Sequence, residues 1–408
     1  MITGLSIRNF KSLALIPADE SQSLEFGPLN VLIGPNGCGK SSLLQAIDFL
    51  RAFFRSSVEL YLKDKGWDFR DLPNLRQSSK TIRWHVMVAL GPDKDGRGAG
   101  TYAYQISVQP RRHLGIGLEG LVHCPPQGKP TVLLARRGRS CTLLNRLTGE
   151  PEKLQVMSLP ASLISRLDPG KDRERYPELL RFREWVEGFR SYLIWDPKIL
   201  RSRDRGKHDE IGPSGEHLPA VLGRLRTRNR PAFDKLVRRM RRLFPTLSDI
   251  SVSGGTGWGW RTIKLHESKG NGAKITFNSQ QMSDGVLRLL AVASLLYVDH
   301  PPNLLTFEEP ENGVHPQLLR EVVQILRELT ERHSPDRCQV FLTTHSPYVL
   351  DEFLDHPEEV YCMERPNPGV GTKIVRLSEN KQLCLAREAF ADSLGEAWAS
   401  GLIGAAAR

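Results

Sequence analysis

Four short runs of residues in this sequence have the types and spacing for chemistry on a phosphorylated ligand. Gly34-Pro35-Asn36-Gly37-Cys38-Gly39-Lys40-Ser41 fits G-x-x-x-x-G-K-[ST], the phosphate-binding loop. Its glycines let backbone N–H groups turn toward phosphate oxygens without a Cβ clash. Lys40 is placed to reach the β- and γ-phosphates, and the Ser41 hydroxyl to ligate Mg²⁺. Glu308-Glu309-Pro310-Glu311-Asn312-Gly313 follows four apolar residues. The first carboxylate of such a pair holds Mg²⁺ through water, and the second orients or deprotonates the attacking water. The first position is usually Asp; Glu308 carries its carboxylate about 1.5 Å further out, the length of one C–C bond. Thr344-His345-Ser346-Pro347 puts an imidazole after another apolar run, where it can hydrogen-bond a γ-phosphate and register its presence. Ser283-Asp284-Gly285 opens an apolar helix and forms an anion site or an ordinary helix cap; both need the same residues.

The elements that must position these groups can be read from periodicity. Leu29-Asn30-Val31-Leu32-Ile33 is a buried strand running into the phosphate loop, and Ser42-Leu43-Leu44-Gln45-Ala46-Ile47 begins a helix over about 41–56. The helix N-terminus adds partial positive charge at the loop. Strands are expected at 2–8 and 24–33, an irregular stretch at 57–80, then strands at 81–90, 101–109, 131–135 and 141–147, read as an antiparallel lobe. Helices are expected at 161–167, 176–188, 216–227 and 231–244, and short strands at 249–254, 260–266 and 273–277. The last third returns to alternation: helix 284–299, strand 304–307, helix 316–332, strand 338–343, then strands near 359–363 and 373–377. The division is therefore 1–56 and 280–378 as two halves of a nucleotide-binding core, 57–159 as the β lobe, 160–279 as a mainly helical basic insertion, and 379–408 as a tail.

Composition sets further bounds. The 408 residues are 39% hydrophobic and 25% charged, as in a globular protein. No apolar run reaches 18 residues and the N-terminus reads as a strand, so no membrane span or secretory leader is expected, and a cytoplasmic location is. Cysteines 38, 124, 141, 338, 362 and 384 form no CxxC pair and read as reduced thiols. The net charge of +11 is concentrated. Arg224, Arg226, Arg228, Arg230, Arg238, Arg239, Arg241 and Arg242, with Lys235, face a single acid, Asp234, in the 224–242 stretch. Residues 201–207 and Arg136-Arg137-Gly138-Arg139 are further basic runs. A solvated helix face is the commoner meaning of such runs. An ATPase core does not itself need the excess, so these runs are read as a DNA-binding surface.

Taken together and in this order, the motifs resemble the ABC-type ATPases of the RecF/SMC group. They resemble more closely the small prokaryotic AAA family ATPases of RecF-like type that share an ATPase with the overcoming-lysogenisation-defect nucleases. The residues carrying the resemblance are Ile7-Arg8-Asn9-Phe10-Lys11-Ser12, Met282-Ser283-Asp284-Gly285-Val286-Leu287-Arg288, Glu308 to Pro316, and Thr344-His345-Ser346-Pro347, with Leu218 to Leu222 and Ser393 to Trp398 in support. The resemblance implies an α/β P-loop fold with an antiparallel β lobe and an inserted helical subdomain. It implies a homodimer that sandwiches two ATP molecules. Gly34 to Ser42, with Asn9, Lys11 and Ser12, would lie at the nucleotide. Ser283 and Gly285 of one subunit would touch the γ-phosphate held by Lys40 of the other. Glu309 would be the general base, Ser41 and Glu308 the Mg²⁺ side, and His345 the switch. The signature helix departs from the family pattern by beginning Met-Ser-Asp-Gly, Gln77 is a guess for the glutamine that links Mg²⁺ to the lobe, and long coiled-coil arms are absent.

The function expected is an ATP-driven dimeric switch acting on DNA, in repair or antiphage defence. A nuclease in its own right is disfavoured, since about 30 residues follow the last expected strand, with Asp392 and Glu396 as the notable acids; a nuclease would be a separate effector that this ATPase regulates. The basic excess and the long insertion argue against a transporter motor. A small-molecule kinase fits the phosphate loop but not Ser283 and His345.

Overall fold

The computed structural model describes residues 1–17, 24–54, 58–92, 96, 98–110, 114–156, 161–192, 196–206, 208–254, 259–269, 273–331, 337–365, 372–380, 382–390 and 393–403. Lys207, Asp392 and the far ends of the 41–56 and 316–332 helices lie outside them. The chain divides into two compact units, Met1–Phe189 with Phe353–Arg408, and Arg190–Glu352. Among the described residues no helix is long and apolar enough to cross a membrane.

The first unit holds the phosphate loop. Every residue of the Leu29–Ile33 strand is buried, as its largely apolar run requires, with the Asn30 amide bonded to the Gly27 N–H and carbonyl. It pairs in parallel with Val360–Glu364, which in turn pairs antiparallel with Lys373–Arg376. The helix Lys40–Phe54 buries Leu43, Leu44, Ile47, Leu50 and Phe54 at helical spacing. It is tied to the neighbouring sheet through Trp84, whose indole N–H donates to the Ala46 carbonyl at 3.2 Å and whose rings lie 5.8 Å from Phe49 and 5.5 Å from Phe53. That sheet has nine strands, antiparallel throughout: Pro151–Gln155, Ser140–Leu144, Thr131–Arg137, Leu114–Cys124, Gly100–Pro110, Ile82–Leu90, Ile2–Phe10 and Leu13–Ile16 in spatial order, with Leu24–Glu25 also on Ile2–Phe10. The first strand, which the sequence puts with the nucleotide-binding half, thus belongs to the antiparallel sheet.

Several elements escape the sequence reading, among them the strands Leu13–Ile16 and Pro151–Gln155; two are instructive. Leu114–Cys124 is a strand despite Gly115, Gly117 and Gly120. Glycine weakens a strand in isolation, but here added Cβ atoms at 117 and 120 would meet Ser107 Oγ at 3.3 Å and Gln105 Nε2 at 3.0 Å on the adjacent strand. The glycines make room for those neighbours. Val58–Lys65, expected to be irregular, is a helix held by Tyr61 OH donating to Asp48 Oδ2 at 2.5 Å and by Lys65 at 3.0 Å from the same carboxylate. Conversely, the 161–167 helix is only a short 3₁₀ turn, Leu163–Arg166.

The second unit holds the carboxylate pair. Leu304–Glu308 and Gln339–Thr343 pair in parallel, Glu308 beside Thr343. Helices Asp284–Ser294 and Pro316–Glu331 bury their apolar stripes, the first ending five residues short of the expected 299 in a turn at Leu295 to Tyr297. Helices Leu218–Arg228 and Arg230–Leu243 follow one another across Asn229, which caps the second through its side chain. Leu247–Ser253, Thr262–Ser268 and Lys274–Asn278 form a three-stranded antiparallel sheet.

Candidate active site

The phosphate loop is shaped by its glycines. Gly34, Gly37 and Gly39 have φ of 147°, 76° and 114°, a region that L side chains rarely adopt. At Gly34 a Cβ would also stand 2.2 Å from the Met363 carbonyl oxygen, so the loop can leave its strand only through glycine. Lys40 is buried, and its ammonium donates back to the carbonyls of Gly34 at 2.8 Å and Pro35 at 3.2 Å, holding the charge across the mouth of the loop. Thr372 donates its hydroxyl to the Cys38 carbonyl at 3.1 Å and braces the loop from the far side. Burial pushes the Cys38 thiol pKa up, against the pull of Lys40, so it is an inert packing group. Ser41 is exposed in the first helical turn, its hydroxyl open to a ligand.

The residues before the loop divide by role. Ser12 donates to Ser42 Oγ at 2.7 Å, directly on the loop helix. Lys11, at φ 48°, donates to Gln45 Oε1 at 2.9 Å and sits 3.0 Å from the centre of the Trp67 ring. Asn9 stands apart from the expectation. It is 2% exposed, and its amide donates to the carbonyls of Ser79 at 2.5 Å and Thr81 at 3.1 Å while accepting from the Asn74 N–H at 3.1 Å. Those bonds tie its side-chain polar atoms to the 74–81 segment. Gln77 donates its backbone N–H to Asn74 in that same segment.

In the second unit, Glu309 occupies the left-handed region at φ 46°, a conformation costing about 1–2 kcal/mol outside glycine. Three contacts hold it there. Its N–H donates to the Thr343 carbonyl at 3.1 Å and to Thr343 Oγ1 at 3.2 Å, and its carbonyl accepts from the Asn312 N–H at 3.1 Å. The carboxylate is then aimed: Oε2 accepts from Asn312 Nδ2 at 2.6 Å, and Oε1 lies 3.5 Å from His345 Nε2. Both side chains keep 34% exposure, so they are fixed yet open to solvent. Glu308 ends its strand half-buried beside this turn.

Three residues assigned no role from sequence complete the arrangement. Glu311 Oε1 accepts from Thr344 Oγ1 at 2.6 Å and from the His345 N–H at 3.0 Å, joining the carboxylate turn to the histidine loop. Burial is the main reason its pKa is raised. Arg288, on the helix that Ser283 caps, donates to the Asn312 carbonyl. Ser283 Oγ accepts from the Val286 N–H at 3.4 Å, and a Cβ at Gly285 would lie 3.5 Å from the Gly313 carbonyl. Asn312, Glu311 and Arg288 are visible in the motifs as letters, but only the turn at Glu309 shows why they are needed. Within this unit Ser283, Gly285, Glu309 and His345 thus belong to one connected set of contacts.

The basic runs separate into exposed and committed groups. Arg228, Arg230, Arg238, Arg241 and Arg242 are exposed. Arg239 is withdrawn: it bonds Glu321 at 2.5 Å and both oxygens of Glu328 at 2.7 and 2.9 Å, and these contacts raise its pKa against desolvation. Arg224 pairs with Asp209, and Arg226 donates to the Val252 carbonyl at 3.3 Å. Arg136 is a correction of another kind: it is buried within the nine-stranded sheet, 3.6 Å from Glu119.

An α/β P-loop ATPase fold with an antiparallel sheet is what these elements define. Its likeness to solved structures is with SMC heads: an Smc head bound to the C-winged helix domain of ScpA (13% identical, TM-score 0.53, covering 92% of this chain and 97% of that one), and an Smc head with an extended coiled coil bound to the C-terminal domain of ScpA derived from Pyrococcus furiosus (12%, 0.51, 95% and 99%). Two family models match the sequence, "AAA domain, putative AbiEii toxin, Type IV TA system" over residues 158–351 and "AAA domain" over residues 4–84. The OLD nuclease of Thermus scotoductus is 20% identical over 373 residues, 86% of this chain and 60% of that protein. The energy-coupling factor transporter ATP-binding protein EcfA2 of Staphylococcus aureus is 28% identical over 112 residues, 28% of this chain and 34% of that protein. The chain therefore spans 60% of the length of the first of these curated relatives and 34% of the second. Parts of the chain thus match AAA-domain models, and its similarity to the OLD nuclease accords with the resemblance drawn from the motifs.

Proposed function

We propose that this chain binds and hydrolyses ATP as a homodimeric switch whose state governs contact with DNA, in repair or antiphage defence. The observation that carries the reading is the turn at Glu309, a strained backbone held so that one carboxylate is aimed by Asn312 and His345. Such strain persists where the surrounding structure over-determines it, typically at working sites. On this reading the loop from Gly34 to Ser42 binds the triphosphate through its backbone N–H groups and Lys40. Glu309 accepts the proton of the attacking water, and His345 steadies that carboxylate and senses the γ-phosphate. The hydroxyl of Ser41 and the carboxylate of Glu308 are hard oxygen donors that suit Mg²⁺. When bound, that ion supplies neutralisation of phosphate charge. Residues 1–56 and 280–378 serve as the ATPase core, 57–159 as the β lobe, 160–279 as the basic insertion and 379–408 as a tail. Ser283 and Gly285 complete the site of a second copy. The protein works in the cytoplasm.

The test is light scattering of Glu309→Gln with and without ATP and Mg²⁺, with a short DNA duplex as a third condition, beside phosphate release by the unaltered protein. The expected result is a dimer that forms with ATP, tightens with DNA and turns over only with Glu309 intact. A monomer under every condition refutes the shared site.

One second reading has a specific observation in its favour. The match to the OLD nuclease covers 60% of that longer protein, which suits an ATPase part that regulates a nuclease effector without touching DNA itself. Nucleotide-dependent dimers with no salt-sensitive DNA binding would favour it.

A further inference from the structure

We propose that Asp204, His208 and His217, in the second unit, form a binding site for a transition-metal ion, Zn²⁺ in the first instance. The site is separate from the ATP chemistry. His217 Nδ1 lies 3.0 Å from Asp204 Oδ2, and His208 Nε2 lies 3.8 Å from Asp204 Oδ1. One ligand atom from each residue falls within 4.8 Å of the others. Zinc takes nitrogen and oxygen ligands at about 2.0–2.2 Å, so neighbouring ligands of a tetrahedral site stand about 3.3 Å apart. The separations of 3.0 and 3.8 Å, each to a different oxygen of Asp204, lie on either side of that value.

The surroundings fix the carboxylate and leave the imidazoles adjustable. Asp204 is joined to Arg261 by reciprocal backbone bonds of 3.2 and 2.7 Å, and Oδ1 accepts from the Gly206 N–H at 2.8 Å. Its side chain is 11% exposed, against 39% for His208 and 37% for His217. A Cβ at Gly206 would stand 1.9 Å from His208 Nε2, so the glycine is what lets that ring approach. The two rings stack with centroids 3.4 Å apart and planes within 15°. An ion in the plane of His217 lies off the plane of the stacked His208, so binding turns His208, the more exposed ring, edge-on.

Three protein ligands leave a position open, as in zinc sites that hold water or an anion. Gly206 and His208 also line an open cavity of about 380 Å³ with Arg224, Arg226 and Arg261. Asp209 neutralises Arg224, which limits the repulsion an incoming cation meets. Water or a phosphate oxygen from that cavity is the fourth ligand the chemistry favours.

The experiment uses the full chain carrying Cys384→Ser, which removes an exposed thiol that would compete for the ion. The protein is stripped with a chelator and titrated with Zn²⁺ alone against a chromophoric indicator, followed by metal analysis after desalting. One ion per chain is expected. His208→Ala and His217→Ala each weaken binding at least about tenfold, whereas the exposed His300→Ala keeps it. In the unaltered site Zn²⁺ also slows hydrogen exchange across 204–217. Should a histidine variant fail to fold, the visible spectrum of the Co²⁺-loaded parent decides, four-coordinate intensity being expected. No stoichiometric uptake, uptake that both histidine variants retain, equal loss in His300→Ala, or an octahedral cobalt spectrum each overturns the proposal.

Discussion

Glu311 offers the sharpest test of how the carboxylate turn is held, because its two oxygens do different things. Oε1 accepts from Thr344 Oγ1 and from the His345 N–H, while Oε2 is buried with no hydrogen-bond partner among the described residues. Glu311→Gln keeps an acceptor at the first position and removes the charge. Glu311→Ala removes the acceptor and leaves two donors without it. Each lost bond to a buried donor costs about 1–3 kcal/mol. Relief of the buried charge offsets part of that, so Ala should destabilise by about 2–4 kcal/mol and Gln by under about 1 kcal/mol. The pH dependence has a definite sign. Burial raises the folded-state pKa of Glu311 above its unfolded value. Its contribution is therefore fully present below the unfolded pKa and is lost as pH rises through the folded one. Gln has no such loss, so its stability relative to the parent should improve upward from about pH 4.3, the ordinary glutamate value, and level off above the raised folded-state pKa. Hydrogen exchange at the His345 amide, measured from pH 5 to 8, reads the local opening, and phosphate release reads the consequence. Gln damaging both as much as Ala at every pH would show that the charge itself is required, and the positioning argument would fail. Unchanged His345 protection in Ala would refute it equally.

Other perturbations follow from single contacts. Gly34→Ala puts a Cβ 2.2 Å from the Met363 carbonyl at a φ of 147°, so nucleotide binding measured by fluorescent-analogue titration should be lost while Gly259→Ala, which meets open space, leaves it intact. Changing Arg238, Arg241 and Arg242 together to Gln should flatten the dependence of log K on log salt for DNA by about 0.9 per lost phosphate contact. Arg239→Ala should leave that slope unchanged and lower thermal stability instead, since its guanidinium is held by Glu321 and Glu328. Arg136→Met strands Glu119, which is fully buried and, among the described residues, is left to Tyr104, Ser162 and the Leu163 N–H. The cost should be about 3–5 kcal/mol in chemical denaturation of the first unit, and Glu119→Gln in the same background should recover part of it.

What could be read from the letters, and what could not, divides along a physical line. Largely apolar runs such as Leu29–Ile33 and Leu304–Phe307 announce buried strands, and both stand where the pattern puts them. The glycines of Gly34 to Gly39 announce a loop that only positive φ can close, and the backbone agrees. Leu114–Cys124 was hidden because its glycines serve a neighbour: they admit Gln105 and Ser107 from the next strand, a relation between distant residues that local propensity does not record. Charge was legible as composition but not as surface. Arg136 and Arg239 look like members of basic runs, yet each answers a carboxylate far away in sequence, Glu119 in one case and Glu321 with Glu328 in the other.

The candidate site shows the same limit at higher resolution. Glu309 is recognisable because an acid after four apolar residues has few structural excuses. Its left-handed backbone is not recognisable, since glutamate has no preference for that region. The conformation exists because Thr343 offers two acceptors to one N–H and Asn312 closes the turn from below. The same Asn312 reaches the Glu309 carboxylate through its side chain and takes Arg288 on its carbonyl. One residue thus links the helix capped by Ser283 to the acid proposed to activate water. A ligand that shifts the Ser283 helix therefore has a short covalent and hydrogen-bonded route to Glu309, through Arg288 and Asn312. Removing the Asn312 amide as Asn312→Ala should lower phosphate release far more than nucleotide binding, because the amide aims the proposed base, Glu309. An equal fall in both would mean that Asn312 supports the fold of the second unit and nothing more specific.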